Sequence, residues 1–320
     1  MLKVAGVPFI AHQIGYAKAH GITRIVVATS YKTEQFLDYL GDGSDFGIEI
    51  AHAIEVEPLG TGGAIANAST LVESASTEPV VILNGDVLSA HDVSAQLGVH
   101  KEHKADATLH LIHVADARPY GSVPTHSDGR ILQFVEKSEN PPTQFINAGC
   151  YIFTRSILDH IPQGKVVSVE RETFPNLLAQ GARLWGYKSE SYWLDIGTPS
   201  ALLKASTDLI TGVFQSPAFD RSHVASNALI DGEAEVASSA VITAGSSVGS
   251  ARIESDVQII NSVIGDGAVV ESGAQISHSI IGDKVRIGLG AVVERAVIAG
   301  SEVEVAANSR QFGDIHDIRI

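Results

Sequence analysis

A doubly wound α/β sheet followed by a parallel β-helix is the fold this sequence predicts, on three observations. Strand and helix patterns alternate through the first part of the chain. Aliphatic residues recur about every six positions from Val224 onward. Within the first region, the apolar run Val80-Val81-Ile82-Leu83 reads as a strand buried on both faces and ends abruptly in Asn84-Gly85-Asp86. That ending leaves a carboxylate at the C-terminal edge of a parallel sheet, where open α/β sheets bind ligands. Asn-Gly-Asp is also ordinary turn chemistry.

Taken in order, residues 8–20 have helical apolar spacing and stop at Gly21. Residues 24–29 read as a buried strand, 32–40 as a helix stopped by Gly41, and 48–51 as a short strand. The stretch Glu57-Pro58-Leu59-Gly60-Thr61-Gly62-Gly63-Ala64 leads into a helix over 64–72. Glycines there let a ligand approach the backbone, and free N–H groups at a helix start favour anionic or polar ligands; a flexible turn is the plainer alternative. Further strands are expected over 106–114, 131–135, 147–153 and 184–187, and helices over 170–179 and 200–208. A Gly- and Pro-containing linker follows near 212–222. Beyond it, Val263-Ile264-Gly265-Asp266, Ile280-Ile281-Gly282-Asp283 and Val297-Ile298-Ala299-Gly300 match at a spacing of 17, close to one triangular coil. Glu233, Glu235, Glu302 and Glu304 read as solvated turns of that β-helix.

The 320 residues suffice for two domains. No run approaches the ~18 apolar residues of a membrane span. Lys3 precedes an apolar stretch broken by Pro8, His12 and Gln13, a poor signal peptide. The net charge of −15 argues against a nucleic-acid surface, and an anionic ligand would need local cations or metal against that field. The single Cys150, within an apolar strand, excludes an internal disulfide framework and suits a reducing cytoplasm as a buried, inert thiol. His100 with His103, and His110 with His113, have H-x-x-H spacing; surface and strand-edge positions explain them without zinc. In Trp193-Leu194-Asp195-Ile196-Gly197-Thr198-Pro199, an Asp flanked by apolar residues needs a partner, and a metal shared with Asp86 would supply one.

These segments, in this order, resemble the sugar-1-phosphate nucleotidyltransferases, and most closely their mannose-1-phosphate guanylyltransferase subgroup. The resemblance to that subgroup rests on Glu136-Lys137-Ser138, Ile146-Asn147-Ala148-Gly149, Val169-Glu170-Arg171-Glu172-Thr173-Phe174-Pro175 and Trp193-Leu194-Asp195-Ile196-Gly197. It implies a Rossmann-like, mostly parallel nucleotidyltransferase domain over 1–211, a linker over 212–222, and a left-handed parallel β-helix of hexapeptide repeats with a tail over 223–320. It implies transfer of a nucleotidyl group from an NTP, most simply GTP, to a sugar 1-phosphate, forming GDP-mannose and pyrophosphate. By the same resemblance, Asp86 and Asp195 hold Mg²⁺ and Lys137 neutralises the sugar phosphate. Glu57, Gly60 and Thr61 serve the nucleotide; Tyr120, Gly121, Glu136, Asn147 and Gly149 serve the sugar side; and Glu170 and Trp193 are further substrate-binding residues. A cytoplasmic homo-oligomer without nucleic-acid or membrane partners is expected.

The chain departs from the family in one place. The opening strand, the G-G-x-G-T-R-L loop and the P-K-P that follows are not present, and Met1 falls where relatives often carry an internal Met. The expectation is a late start or a truncation, with two core strands left with unpaired edges and a chain of poor stability or activity. A non-catalytic regulatory or binding subunit is the rival this departure favours. An acyltransferase using His278 of the β-helix is a second rival.

Overall fold

The computed structural model describes residues 1–243, 245–300 and 303–315, so Glu302 and the last part of the expected tail lie outside the described residues. In chain order the elements are β1 (Lys3–Val4), β2 (Val7–Pro8), α1 (Phe9–Ala19), β3 (Arg24–Thr29), α2 (Thr33–Leu40), β4 (Glu49–Ile54) and α3 (Gly60–Ser69). Then come β5 (Pro79–Leu83), β6 (Val87–Ser89), α4 (Val93–Glu102), β7 (Ala107–His113), β8 (Phe145–Thr154) and α5 (Arg155–Leu158). A π turn at Val169–Thr173 precedes α6 (Phe174–Ala179), β9 (Leu184–Ser189), β10 (Trp193–Asp195) and α7 (Pro199–Thr211). The chain divides into two compact units, Ala17–Trp193 on the one hand, and Met1–Tyr16 with the chain from Leu194 onward on the other.

In the unit Ala17–Trp193, β3 and β4 form a parallel pair, registered from Arg24 opposite Glu49 to Thr29 opposite Ile54. A separate four-stranded sheet has the order β5-β8-β7-β9. Parallel pairing joins β7 to β9, whereas β8 runs antiparallel to both its neighbours. Strand β7 is central and its apolar residues Leu109 and Leu111 are wholly buried, with Tyr151, Phe153, Phe174 and Leu184 beside them. The expected helix over 170–179 is split: Pro175 has no N–H to donate, and the π turn takes up the residues before it. Residues 131–135 are not a strand. Their strand pairing is confined to isolated bridges, Ile131 with Thr125 and Val135 with Ser122, so no ladder continues among the described residues.

Strand β5 also differs from expectation, since each of its residues is only half-buried. Its only ladder among the described residues is with β8, and β3 pairs only with β4. A strand with one open edge leaves part of its backbone to water and cannot be enclosed on both sides. The buried Thr29 hydroxyl at the end of β3 likewise has no partner among the described residues. Hydrogen exchange should therefore be at least ~10-fold faster for the outward-pointing amides of β5 than for those of Leu109–Ile112 in doubly paired β7. Equal protection in the two strands would contradict this.

The histidines of the H-x-x-H pairs are not all surface groups. His100 and His110 are buried because α4 packs on β7, the centre of the sheet. His100 Nδ1 meets Thr108 Oγ1 at 3.0 Å, and His110 Nε2 meets Ser189 Oγ at 2.7 Å. His91 stacks on His110 with ring centroids 3.8 Å apart and donates from Nε2 to Gln96 Oε1 at 3.0 Å. Burial pushes the pKa of His91 from 6.5 down to about 4, and burial with the neighbouring His91 pushes that of His110 down to about 2. Both stay neutral in the folded chain where the unfolded chain takes up protons. Their stabilising contribution is complete above pH 6.5 and is lost as pH falls, by about 1.4 kcal/mol per pH unit for each group. The urea midpoint is expected to fall between about pH 6.5 and about pH 5; a midpoint flat over that window would contradict the assignment.

The other unit contains the β-helix. Three ladders run along it, containing Val263–Ile264, Val269–Val270 and Gln275–Ser277 respectively; these strands pair in parallel with their counterparts one coil on, while Val224–Ala225 opens the first ladder antiparallel to Ala228–Ile230. The sixfold recurrence arises because Ile264, Val270 and Ile276 each place one aliphatic side chain inside, at 2%, 0% and 1% exposure. A column of buried serines adds a feature that aliphatic spacing does not reveal. Ser262 Oγ accepts from Ser279 N–H and Ser279 Oγ accepts from Ala296 N–H, both at 3.1 Å. The hairpin β1–β2 and the start of α1 pack in this same unit. Ala5 N–H donates to Ser206 Oγ of α7 at 3.1 Å, His12 Nδ1 meets Ser216 Oγ at 2.7 Å, and Lys3 pairs with Asp266.

Candidate active site

The Gly-rich stretch enters α3 directly: the helix begins at Gly60, four residues earlier than the sequence pattern indicates. Close approach of the segment before the π turn is the reason. A Cβ on Gly63 would lie 2.4 Å from the Lys165 carbonyl oxygen, and one on Gly62 would lie 2.9 Å from Val167 Cγ1. Gly62 and Gly63 N–H both donate to the Val167 carbonyl, at 2.8 and 3.2 Å, and Val167 N–H donates to the Leu59 carbonyl at 2.9 Å. These first-turn amides are therefore engaged, and the helix start is a joint with residues 165–167 instead of the open anion cradle that the glycines suggest. Glu57 is exposed. It is Glu55, two residues earlier and buried, that holds the loop, accepting Leu59 N–H at 2.9 Å.

Thr61 joins this loop to Glu170. Its hydroxyl accepts Val169 N–H at 2.9 Å and donates to Glu170 Oε2 at 2.8 Å. Ser168 Oγ donates to the same carboxylate oxygen at 2.9 Å.

At the end of β5, Asn84 N–H donates to the Gly149 carbonyl at 2.8 Å. Gly149 has φ +75°, and a Cβ there would meet Asn84 Cβ and Nδ2 at 3.0 Å. The two motifs Asn84-Gly85-Asp86 and Asn147-Ala148-Gly149 thus lie side by side, with Asp86 exposed at the turn. Asn147 N–H in turn donates to the Gly121 carbonyl at 2.8 Å. Tyr120 meets Trp193 edge-on at 5.5 Å, and Trp193 Nε1 donates to the Ala148 carbonyl at 2.9 Å. Ser122 and Val135 exchange backbone hydrogen bonds at 2.8 and 2.9 Å, which brings the half-buried Glu136 toward this segment; Lys137 follows with φ 27° and an exposed side chain.

Gly60, Thr61 and Glu170 thus form one cluster, and Asp86, Tyr120, Gly121, Glu136, Asn147, Gly149 and Trp193 surround another. Tyr151, absent from the sequence-based candidates, bridges them by accepting from Asn147 Nδ2 at 2.7 Å and donating to Glu170 Oε1 at 3.4 Å. Asp195 belongs to the other unit, where its Oδ1 accepts Gly197 N–H at 2.9 Å. Cys150 is buried and burial pushes its thiol pKa up, so it is no nucleophile. His278 is exposed on a β-helix corner. No helix among the described residues is long and apolar enough to cross a membrane.

Residues 1–212 match the family described as nucleotidyl transferase, and residues 224–310 match the GMPPB C-terminal domain. The mannose-1-phosphate guanylyltransferase of Mycobacterium tuberculosis is 44% identical over 269 residues, 83% of this chain and 74% of that protein. Mannose-1-phosphate guanylyltransferase 1 of Arabidopsis thaliana is 35% identical over 76% of this chain and 68% of its own length. Among solved structures, HddC from Yersinia pseudotuberculosis complexed with GMP-PN superposes with a TM-score of 0.55 at 29% identity, covering 64% of this chain and 87% of that one.

Proposed function

The chain belongs to the nucleotidyl transferase family, and on that footing we propose that it transfers the guanylyl group of GTP to mannose 1-phosphate, forming GDP-mannose and releasing pyrophosphate. A phosphate oxygen of the sugar phosphate attacks the α-phosphorus in line, and the bond to the leaving pyrophosphate oxygen breaks. Positioning and charge neutralisation are the protein's contributions. Lys137 neutralises the sugar phosphate. Glu136, Asn147, Gly149 and Glu170 hold sugar hydroxyls beside Gly121, with Tyr120 and Trp193 as an aromatic wall. Glu57, Gly60 and Thr61 meet the nucleotide, the last two through their backbone, because the Thr61 hydroxyl is engaged by Val169 and Glu170.

Asp86 presents a hard oxygen donor on an exposed turn, the chemistry that Mg²⁺ takes. When bound, the ion supplies neutralisation of triphosphate charge. A role for Asp195 as second ligand rests on the sequence resemblance alone. In this reading residues 1–211 are the transferase domain, 212–222 a linker, and 223–320 the β-helix and tail. A cytoplasmic setting fits the single buried thiol of Cys150, and assembly into homo-oligomers completes the proposal.

The observation that carries the proposal is the hydrogen bond from Asn84 to Gly149, which supports one site built from an acidic strand end and the Asn147–Gly149 segment. The test is pyrophosphate release across a panel of NTPs and sugar 1-phosphates, with and without Mg²⁺. GTP with mannose 1-phosphate is expected to be preferred at least ~10-fold. Faster turnover of another pair would reassign the substrates. Binding of both ligands without pyrophosphate release would instead favour the non-catalytic subunit.

A further inference from the structure

Tyr151 is fully buried, with its ring held edge-on to Phe174 at 5.1 Å and beside Phe153 at 6.1 Å. Only its hydroxyl is polar, and a phenol has one hydrogen to give and two lone pairs to receive with. Asn147 Nδ2 donates to one lone pair at 2.7 Å. With an amide donor already on the oxygen and a carboxylate as the acceptor in reach, the phenol hydrogen is directed toward Glu170 Oε1 at 3.4 Å. Burial, with the nearby Glu170 charge, holds the phenol pKa well above 10, so that hydrogen stays in place.

The consequence is orientational. Asn147 has its amide nitrogen turned to Tyr151 and its Oδ1 turned to Gly149 N–H at 3.2 Å, so the side chain has no freedom to flip. Glu170 is held through one oxygen by Thr61 and Ser168 and through the other by Tyr151. Networks of this kind fix rotamers that would otherwise be ordered only when ligand binds, at an entropic cost to affinity.

We propose that Tyr151 is a positioning residue of the sugar subsite: its hydroxyl presets Asn147 and Glu170 for the sugar 1-phosphate without touching it. This rests on the guanylyltransferase reading above, and it concerns the sugar half of that site and not the nucleotide half. Tyr151→Phe keeps the buried ring and removes only the hydroxyl.

Calorimetric titration of wild type and variants with mannose 1-phosphate and, separately, with GTP and Mg²⁺ tests it, beside unfolding midpoints. Tyr151→Phe is expected to weaken mannose 1-phosphate binding about tenfold and to leave GTP binding within about twofold. In an Asn147→Ala background the same substitution is expected to cost only about threefold, because one of its two orienting targets is gone and Glu170 remains. Equal mannose 1-phosphate affinity in wild type and Tyr151→Phe would overturn the proposal. So would additive losses in the double variant, or a lowered midpoint with both ligands weakened alike, the mark of a purely structural residue. A wild type that binds both ligands but forms no GDP-mannose would overturn the functional reading and leave this one standing.

Discussion

Replacing Asp86 by Asn is expected to lower GDP-mannose formation by ~10³-fold or more and to leave the unfolding midpoint nearly unchanged. The substitution preserves shape and removes one negative charge. Asp86 is exposed at the turn after β5, so no packed apolar surface is lost with it. Surface substitutions of that kind stay within about 0.5 kcal/mol in stability. The catalytic loss is large for a different reason. Nucleotidyl transfer needs little covalent chemistry from the protein, so a carboxylate that holds the neutralising cation bears directly on the barrier. The measurement is pyrophosphate release at saturating Mg²⁺ beside a thermal melt. Near-normal turnover would remove Asp86 from the site, and a large fall in midpoint would mark it as structural.

What could be read from the sequence follows from how local each signal is. Val80–Leu83 is an apolar run closed by a turn, so strand and exposed acid are both local facts, and β5 with Asp86 bears them out. The β-helix is legible for the same reason, since each face repeats one inward aliphatic per coil, as in Ile259, Ile276 and Val293. Its buried serine column is not, because Ser262 and Ser279 matter only through the amide one coil away. Features that depend on distant segments are not legible in this way. The first-turn amides of α3 are taken by Val167, about a hundred residues on, which no local pattern of glycines can indicate. His100 and His110 are core residues because the sheet order places β7 centrally, and order is not a local property. Tyr151 sits in a run that reads simply as apolar, Cys150-Tyr151-Ile152-Phe153. Its chemistry emerges only when residues 147 and 170 arrive at one hydroxyl.

Gly149→Ala is expected to destabilise the protein by about 2–5 kcal/mol and to reduce turnover with it. Two costs add at this position. The backbone has φ +75°, a conformation that costs an L-residue with a Cβ roughly 1–2 kcal/mol. The new methyl would also lie 3.0 Å from both Cβ and Nδ2 of Asn84, so strand end and neighbour must part; overpacking of this sort costs about 1–3 kcal/mol. The parting acts on function because the Asn84 N–H bond to the Gly149 carbonyl, 2.8 Å long, is what sets the Asp86 turn against Asn147. Gly85→Ala is the matched control. A Cβ there meets nothing within 4 Å and the backbone has no positive φ, so its melting temperature should stay close to wild type. For Gly149→Ala a fall on the order of 10 °C is expected. Were the two alanine variants to melt together near the wild-type temperature, the close packing of the acidic turn on the Asn147–Gly149 segment would not be a feature of the folded protein in solution, and the site built on it would have to be abandoned.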